Sequence, residues 1–205
     1  QKKFKKMILI DKNKPELKYI WFGKLRNNKK LHQSYLSWLN DAEITKYLGT
    51  SELMSTNKNM SFIDASFDRF TKKNSYGFFV QDIKENKFIG TCKLDKINFR
   101  SKYADTGVMI GDKNFQGRGI SKHMHYMMFA FAFIGLKLNR INGDVSSANS
   151  AAVKLTEKTG FIEEGRMREF HLFDGKYHDH IFYGILEREF HIFNKVDLEI
   201  IDSIL

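Results

Sequence analysis

A short glycine-containing segment, Gln116 to Ser121, lies between a predicted strand and a long apolar helix, with Gly117 and Gly119 on either side of Arg118. Glycine lets the backbone turn several N–H groups toward one point, and the N-terminus of the following helix adds partial positive charge. A loop of this kind can bind a diphosphate. It lacks the Gly-Lys-Ser/Thr of a Walker A loop and the third glycine and downstream acid of a dinucleotide-binding fingerprint. Taken alone, such a pair of glycines more often marks only a tight turn.

Histidines and carboxylates near the C-terminal end could transfer a proton. Glu169 and His171 are two residues apart on a predicted strand and therefore share one of its faces. A histidine that titrates near neutrality can accept the proton of an amine, although a solvated strand face would show the same pattern. His171 with His178 and His180 does not specify a metal site, because no fourth ligand is indicated. We therefore expect no metal.

The hydrophobic pattern predicts the elements that must position these residues. Seven strands are expected, and they lie at Leu17–Leu25, Tyr76–Ile83, Lys87–Leu94, Ala104–Ile110, Arg140–Ser146, Phe161–Phe173 and His178–Phe190. Helices are expected at Leu31–Leu48 (one or two, with Asp41 as a cap), Met60–Phe70, Lys122–Leu138 and Asn149–Thr159. We therefore predict an α/β fold with a mixed, mostly antiparallel seven-stranded sheet flanked by helices. The domain spans 17–190, between a basic N-terminal segment (1–16) and a C-terminal amphipathic tail (191–205) in which Ile192–Leu205 is a candidate helix.

Length and composition limit the class of protein. The chain has 205 residues, of which 42% are hydrophobic, so it suits one domain with a buried core and is not a disordered protein. Cys92 is the single cysteine and cannot form an internal disulfide, so we expect a cytoplasmic protein. The longest apolar run, Tyr126 to Leu138, is shorter than the ~20 residues of a membrane span. Because residue 1 is Gln rather than Met, we expect the native chain to start upstream of it.

Several motifs follow one another in an order that is more specific than any one of them. Gln116 to Ser121 fits the pattern Gln/Arg-x-x-Gly-x-Gly/Ala, with Ser121 in the last, small position. The others are Trp38 to Ile44, Leu138 to Ile141, Asn149 to Ala152, Glu157 to Phe161, Glu164-Gly165 and Asp174 to Asp179. Together they resemble the GNAT superfamily of acetyl-coenzyme A-dependent N-acetyltransferases. The similar branch contains ribosomal-protein N-terminal, spermidine and nucleotide-amino-sugar acetyltransferases, and the resemblance covers roughly 17–190.

The resemblance implies acetyl-coenzyme A as cosubstrate, with its diphosphate on the backbone amides of Gly117 to Ser121. The strand before this loop would separate from its neighbour and pair with the pantetheine arm, and an amide at Met109 or Ile110 would polarise the thioester carbonyl. Asn149 lies where the family places an asparagine that binds the pantetheine or a water, and it also suits a helix N-cap. The residues implied in coenzyme binding are Val108, Met109, Ile110, Gln116, Gly117, Arg118, Gly119, Ile120, Ser121, Asn149, Ala152 and Lys158.

Acetyl transfer also needs a base for the amine proton and an acid for the departing thiolate. The family's frequent general-acid tyrosine would fall at Thr156, and the serine of some members at Ala152, so neither acid stands in its expected place. For the base, the branch often has a carboxylate on the strand that here carries Glu169 and His171. The candidate catalytic residues are therefore His171, Glu169 and Asn149, and the candidates for acceptor binding are Tyr177 and Asp179.

The acceptor is a primary amine whose type is suggested by charge. Thirty-four Lys and Arg against 24 Asp and Glu give a net charge of +10, which favours an anionic small molecule. A nucleotide-linked amino sugar of surface-glycan synthesis is therefore the first acceptor predicted, and a ribosomal-protein N-terminus is the alternative. Spermidine is disfavoured because its positive charge would be repelled.

Two other functions are also compatible with the sequence: a GNAT domain that binds coenzyme A without catalysis, and a nucleic-acid-binding module. Nucleic acid is the weaker choice, because most aromatic residues fall at core spacings. A homodimer is compatible with the resemblance, since GNAT proteins often dimerise.

Overall fold

The computed structural model describes residues 7–47, 60–72, 74–193 and 196–202. Their strands, numbered in chain order, are β1 Met7–Asp11, β2 Leu17–Trp21, β3 Tyr76–Asp82, β4 Lys87–Asn98, β5 Tyr103–Ile110, β6 Arg140–Ser146, β7 Ile162–Phe173, β8 Lys176–Leu186 and β9 Leu198–Asp202. The helices are α1 Lys29–Leu39, α2 Ala42–Thr45, α3 Met60–Arg69, α4 Ile120–Ala130, α5 Ser150–Lys158 and α6 Glu187–Phe193. Short 3₁₀ helices lie at Phe22–Leu25 and Lys113–Phe115, and a π-helical turn, Phe131–Gly135, continues α4.

Within the described residues, all nine strands form one sheet in the order β7-β8-β6-β5-β4-β3-β2-β1-β9. Only β5 and β6 pair in parallel, and the other neighbours are antiparallel. The predicted fold class, an α/β domain with a mixed and mostly antiparallel sheet, is confirmed. The predicted number of seven strands was too low, because β1 and β9 extend the sheet beyond β2.

The C-terminal tail differs most from its prediction. The candidate helix at Ile192–Leu205 is wrong, since α6 ends at Phe193 and β9 then pairs antiparallel with β1. The sheet thus includes β1, which precedes the predicted start of the domain at residue 17, and β9, which follows its predicted end at residue 190. A strand forms here because β1 offers an open edge, which a local sequence pattern does not reveal. Residues 1–6 of the predicted basic N-terminal segment lie outside the described residues.

The two faces of the sheet carry different cores. On one face, called here the α4–α5 face, α4 is buried from His123 to Ala130 and packs against Cys92, Leu94 and other strand residues. On the opposite face, the α1–α3 face, aromatic residues of α1 and α3 pack on Phe79. Alternation along β5 follows this division, because Val108 joins the first core and Met109 the second.

Local capping and turn chemistry agree with the predictions. Asp41 begins α2, where its carboxylate accepts the N–H groups of Glu43 and Ile44. The β7–β8 hairpin turns at Asp174-Gly175, and both residues have the positive φ, 50° and 73°, of a tight turn. Among the helices that the structure describes, none is long and apolar enough to cross a bilayer.

Candidate active site

A gap between β5 and β6 opens the sheet at its centre. The two strands pair only from Tyr103–Arg140 to Asp105–Asn142. Beyond that point β5 stays on β4 and β6 stays on β8, so the strands separate, as the resemblance implied. Backbone groups of the later part of β5 are therefore left facing the gap, where an extended ligand can pair with them.

A cavity of about 910 Å³ occupies this gap. This volume lies near the upper end of the roughly 300–1,000 Å³ that ligand sites usually enclose. Ile120, His125 and Leu155 line it from the α4–α5 face. Asp144 and Phe182 line it from the α1–α3 face, since the alternate residues Val145 and Ile181 belong to the other core. The cavity thus passes through the sheet.

The structure brings together part of the predicted site. The predicted residues that line the cavity are Val108, Gly117, Gly119, Ile120, Ser121, Asn149, Ala152, Lys158 and His171. Those whose side chains are not part of its lining are Met109, Ile110, Gln116, Arg118, Glu169, Tyr177 and Asp179. Lining residues that the sequence analysis did not propose include Tyr47, Lys122, Asp144, Lys154, Phe170, His180 and Phe182. Met109 instead lines a smaller cavity of about 160 Å³ on the α1–α3 face, together with Lys93.

The glycine loop has the geometry that a diphosphate requires. Gly117 and Gly119 have φ of 73° and 74°, in the left-handed region that favours glycine. Gly119 precedes α4 and has no side chain to cap it, so N–H groups of the first turn stay available to an anion. Lys122, Lys154 and Lys158 add positive charge to the same part of the lining. These residues fit the phosphates of coenzyme A.

Arg118 lies between the two glycines but stacks on a neighbouring ring. Its guanidinium carbon is 4.7 Å from the centre of the Phe115 ring, and its Nη1 atom is 4.0 Å from Glu85 Oε1. The structure therefore supplies backbone groups rather than this side chain to the cavity.

The hydroxyl at the predicted general-acid position is engaged within its helix. Thr156 is buried, lines the cavity and donates its Oγ1 hydrogen to the carbonyl of Ala152 at 2.8 Å. Burial of the neighbouring His125 lowers its pKa to about 4, so its ring is neutral at neutral pH. Its Nδ1 is 3.1 Å from Thr159 Oγ1, which already donates to carbonyls of α5, so His125 is the donor.

A bulge in β7 separates the two residues predicted as a pair. Met167 pairs with His180 and His171 with His178, so β7 has two extra residues between these positions. Glu169 lies in this bulge with φ of 53°, and its backbone N–H donates to Asp179 Oδ1 at 3.1 Å. The expectation that Glu169 and His171 share one strand face was therefore wrong. Glu169 is exposed, and only His171 lines the cavity.

The two acceptor-binding candidates lie away from the cavity lining. Tyr177 is 65% exposed beside the hairpin turn. Asp179 holds the β7 bulge and approaches Arg166 Nη1 at 3.6 Å. Closer to the opening, the Tyr47 ring packs edge-on against Phe173, and Lys46 reaches Asp174 at 3.3 Å. Lys46 and Tyr47, which follow α2, thus lie at the α1–α3 end of the cavity, where Tyr47 is part of the lining.

Two histidines and an aspartate form a row at that end. His171 Nε2 lies 2.9 Å from His180 Nδ1, and His180 Nε2 lies 3.5 Å from Asp144 Oδ2. The three residues come from β7, β8 and β6, and all line the cavity. Burial, then the charge of His180, lowers the pKa of His171. The sequence pattern could not place Asp144 in this row, because its position depends on the pairing of distant strands.

Comparisons with known proteins agree with this geometry. Residues 24–162 match the acetyltransferase (GNAT) domain family. The uncharacterized N-acetyltransferase p20 of Bacillus licheniformis is 25% identical over 150 residues, which are 73% of this chain and 84% of that protein. The spermidine N(1)-acetyltransferase of Vibrio cholerae is 32% identical over 102 residues, 50% of this chain and 58% of that protein.

A solved structure shares the fold. The spermidine N-acetyltransferase of Vibrio cholerae, in complex with CoA and spermine, superposes with a TM-score of 0.69 and 24% identity, over 85% of this chain and 96% of that one. The matched family covers more than half of the sequence, including the loop before α4 and the gap between β5 and β6. The chain therefore belongs to the GNAT family of acetyltransferases and is an N-acetyltransferase that uses acetyl-coenzyme A.

Proposed function

We propose that this chain transfers the acetyl group directly to a primary amine of a small molecule that enters from the α1–α3 face. The observation that carries the proposal is the cavity that passes through the sheet. Its α4–α5 end has the glycine loop and three lysines, and its α1–α3 end has His171 and His180. Opposite ends of one cavity can thus hold the acetyl donor and the amine.

The chain's own residues would position the donor along the gap. Backbone N–H groups of Gly117 to Ser121 would bind the diphosphate, and the free edge of β5 from Val108 to Ile110 would pair with the pantetheine arm. An amide of this edge would stabilise negative charge on the carbonyl oxygen. Acetyl-coenzyme A supplies the acetyl group as a thioester.

Direct transfer is supported by the position of Cys92. This thiol is buried in the core on the α4–α5 face, and burial raises its pKa well above the ordinary value. Cys92 lines the smaller cavity only, and a neutral thiol outside the lining of the large cavity cannot form an acetyl-enzyme intermediate efficiently.

The first acceptor to consider is a nucleotide-linked amino sugar. The net charge of +10 favours an anionic molecule. Tyr47, Phe170 and Phe182 line the α1–α3 end with aromatic rings on which a sugar can pack, and Lys93 lines the smaller cavity beside it. The alternative acceptor, a ribosomal-protein N-terminus, would have to use the same opening.

A polyamine is a second candidate, favoured by the local charges. The lysines of the large cavity lie toward the α4–α5 end, whereas Asp144 is the single carboxylate among the described residues that line it. A carboxylate near the acceptor end attracts a cationic amine. The Vibrio cholerae relatives are spermidine acetyltransferases, which is consistent with this candidate.

Thiol release measured against a set of acceptors tests both candidates. The wild-type chain is titrated calorimetrically with acetyl-coenzyme A and then assayed with an amino-sugar nucleotide, spermidine and ribosomal-protein N-terminal peptides. Acceptor-dependent release, with the acetylated amine identified by mass spectrometry, supports the proposal and identifies the acceptor class. Binding without release from any amine would favour a binding-only domain, and absence of binding would contradict the proposal.

A further inference from the structure

The charge of Asp144 and the spacing of the ring nitrogens favour one order of donors and acceptors along the row of His171, His180 and Asp144. Asp144 Oδ2 lies 3.5 Å from His180 Nε2, an ion-pair distance rather than a hydrogen bond, and its negative charge favours the form of His180 that carries a hydrogen on Nε2. A neutral His180 then has a lone pair on Nδ1, and the facing Nε2 of His171 must donate to it. By the same reasoning a neutral His171 has its own lone pair on Nδ1, the nitrogen that faces neither partner.

Each member is placed by a different strand, so the order depends on the sheet. The β7 bulge sets the position of His171, because two extra residues precede it relative to β8. Pairing of β6 with β8 places Ser146 opposite His180 and Asp144 opposite Phe182, which brings Asp144 within reach of the His180 ring. The row runs from the partly buried His171 to Asp144, whose side chain is 58% exposed.

We propose that His171 Nδ1 accepts a proton from the attacking amine, and that His180 and Asp144 orient His171 and conduct the proton to solvent. This inference rests on the proposed function. As the amine nitrogen bonds to the acetyl carbon, the C–S bond breaks and the thiolate leaves with the bonding pair. The amine proton goes to His171 Nδ1, the Nε2 proton of His171 moves to His180 Nδ1, and the Nε2 proton of His180 moves to Asp144 and then to water. The thiolate takes a proton from water, and proton exchange with water returns both rings to their Nε2–H forms for the next turnover.

The surroundings of His171 favour its neutral, proton-accepting form. His178 and His180 on β8 lower its pKa when they are charged, and Asp144 on β6 acts in the opposite direction. Burial is the largest cause and also lowers the pKa of His171. The rings of Phe170 and Phe182 lie 5.1 and 4.7 Å from that of His180 and cover part of the row.

The first test measures hydrogen positions without any substrate. Two-bond ¹⁵N–¹H spectra of the ¹⁵N-histidine-labelled full chain distinguish the two neutral forms of each ring. We expect Nε2–H on both His171 and His180, with His180 changing toward a mixture of forms in Asp144→Asn. Assignment uses His171→Gln and His180→Gln. A predominant Nδ1–H form of His171 in the wild-type chain would overturn the proposal, since that nitrogen could not accept a proton.

The second test uses the pH dependence of kcat with an acceptor that the wild type acetylates. His171→Gln should lower kcat by about 10² to 10⁴-fold, the usual contribution of a general base. Asp144→Asn should lower kcat at least tenfold and move the acidic limb to lower pH, because Asp144 raises the pKa of His171. Asp68→Asn is a matched control, since Asp68 pairs with Arg26 on an exposed surface and is not part of the lining.

The outcomes separate this inference from the proposed function. If the wild type acetylates no amine, the proposed function fails, while the NMR spectra still report whether the row has the required hydrogen order. If the wild type is active and Asp144→Asn has the same kcat profile as Asp68→Asn, the conduction role is overturned. Unchanged coenzyme affinity in Asp144→Asn, measured by calorimetry, is expected because this residue lies at the opposite end of the cavity from the glycine loop.

Discussion

Asn149 Oδ1 accepts the backbone N–H of Ala152 at 3.1 Å and caps α5, and the same side chain lines the cavity. The cap uses the carbonyl oxygen, and the amide nitrogen of the same side chain has two hydrogens that we expect a ligand in the cavity to accept. Asn149 thus accepts a hydrogen bond from the first turn of α5 and has a hydrogen-bond donor for a ligand. Substitutions can separate these two roles.

Asn149→Asp should keep the cap and lose the donor, whereas Asn149→Ala should lose both. We expect Asn149→Ala to lower the free energy of unfolding by about 1 kcal/mol, as for other N-caps, and Asn149→Asp to leave it nearly unchanged. Both variants should weaken binding of acetyl-coenzyme A. Urea unfolding and calorimetry measure the two effects. Wild-type affinity in Asn149→Asp would show that the residue is a cap only.

Gly119→Ala should weaken coenzyme binding through backbone strain. A Cβ atom at Gly119 would meet no atom within 4 Å, so crowding is not the cause of the expected loss. Its φ of 74° is left-handed, and a residue with a Cβ atom adopts that conformation at a cost of roughly 1–2 kcal/mol. If the loop avoids this cost by changing shape, the Kd for acetyl-coenzyme A should rise about 5- to 30-fold.

Gly175→Ala is the matched control for that experiment. Gly175 also has a left-handed φ, 73°, and a Cβ atom there would likewise meet nothing within 4 Å. It lies at the tip of the β7–β8 hairpin, so its strain should affect stability without changing coenzyme affinity. Equal losses of affinity in the two variants would contradict a specific role for the loop before α4.

Features fixed by neighbouring residues could be predicted from the sequence. The strand Arg140–Ser146 has the bounds that its pattern predicts, and Asp174-Gly175 forms the expected turn. The glycine loop was recognisable because positive φ at Gly117 and Gly119 limits the choice of residue at those positions.

Features fixed by distant pairing could not be predicted in the same way. β9 forms because Leu198–Asp202 reaches an edge strand near the N-terminus. The bulge that removes Glu169 from the face of His171 depends on Asp179 of the neighbouring strand. Asp144 likewise joins His180 only through the register of β6 with β8.

Stability should fall in mild acid because His125 is buried and neutral. Its pKa is about 4 in the folded chain, below the ordinary value of 6.5 that applies when the chain is unfolded. The neutral His125 ring therefore contributes about 3 kcal/mol to the free energy of unfolding above pH 6.5. This contribution is lost as the pH falls toward 4. His125→Asn places an amide nitrogen where Nδ1 lies, so it keeps an N–H for Thr159 Oγ1 and removes the ring that takes up the proton. Urea unfolding from pH 7 to 4 should show a smaller decrease in the variant, and identical slopes would contradict the assignment.

Asp11 links both ends of the chain to α4 through a buried network. Its Oδ1 accepts the N–H groups of Asn13 and Asp197, each at 3.0 Å, and its Oδ2 is 3.0 Å from His123 Nε2. The other ring nitrogen, His123 Nδ1, lies 2.7 Å from the hydroxyl of Tyr19. Asp197 immediately precedes β9, so the carboxylate holds the entry to that strand.

Asp11→Ala should destabilise the chain much more than Asp11→Asn. The alanine variant leaves buried donors without an acceptor, and we expect a loss of about 3 kcal/mol, since each unpaired buried group costs about 1–3 kcal/mol. Asparagine keeps Oδ1 for the two backbone groups, and its amide can donate to His123 once that ring donates to Tyr19, so a loss of about 1 kcal/mol or less is expected. Hydrogen exchange should show that the amides of β9 lose protection first in Asp11→Ala. Equal unfolding energies for the two variants would show that the network does not hold β9.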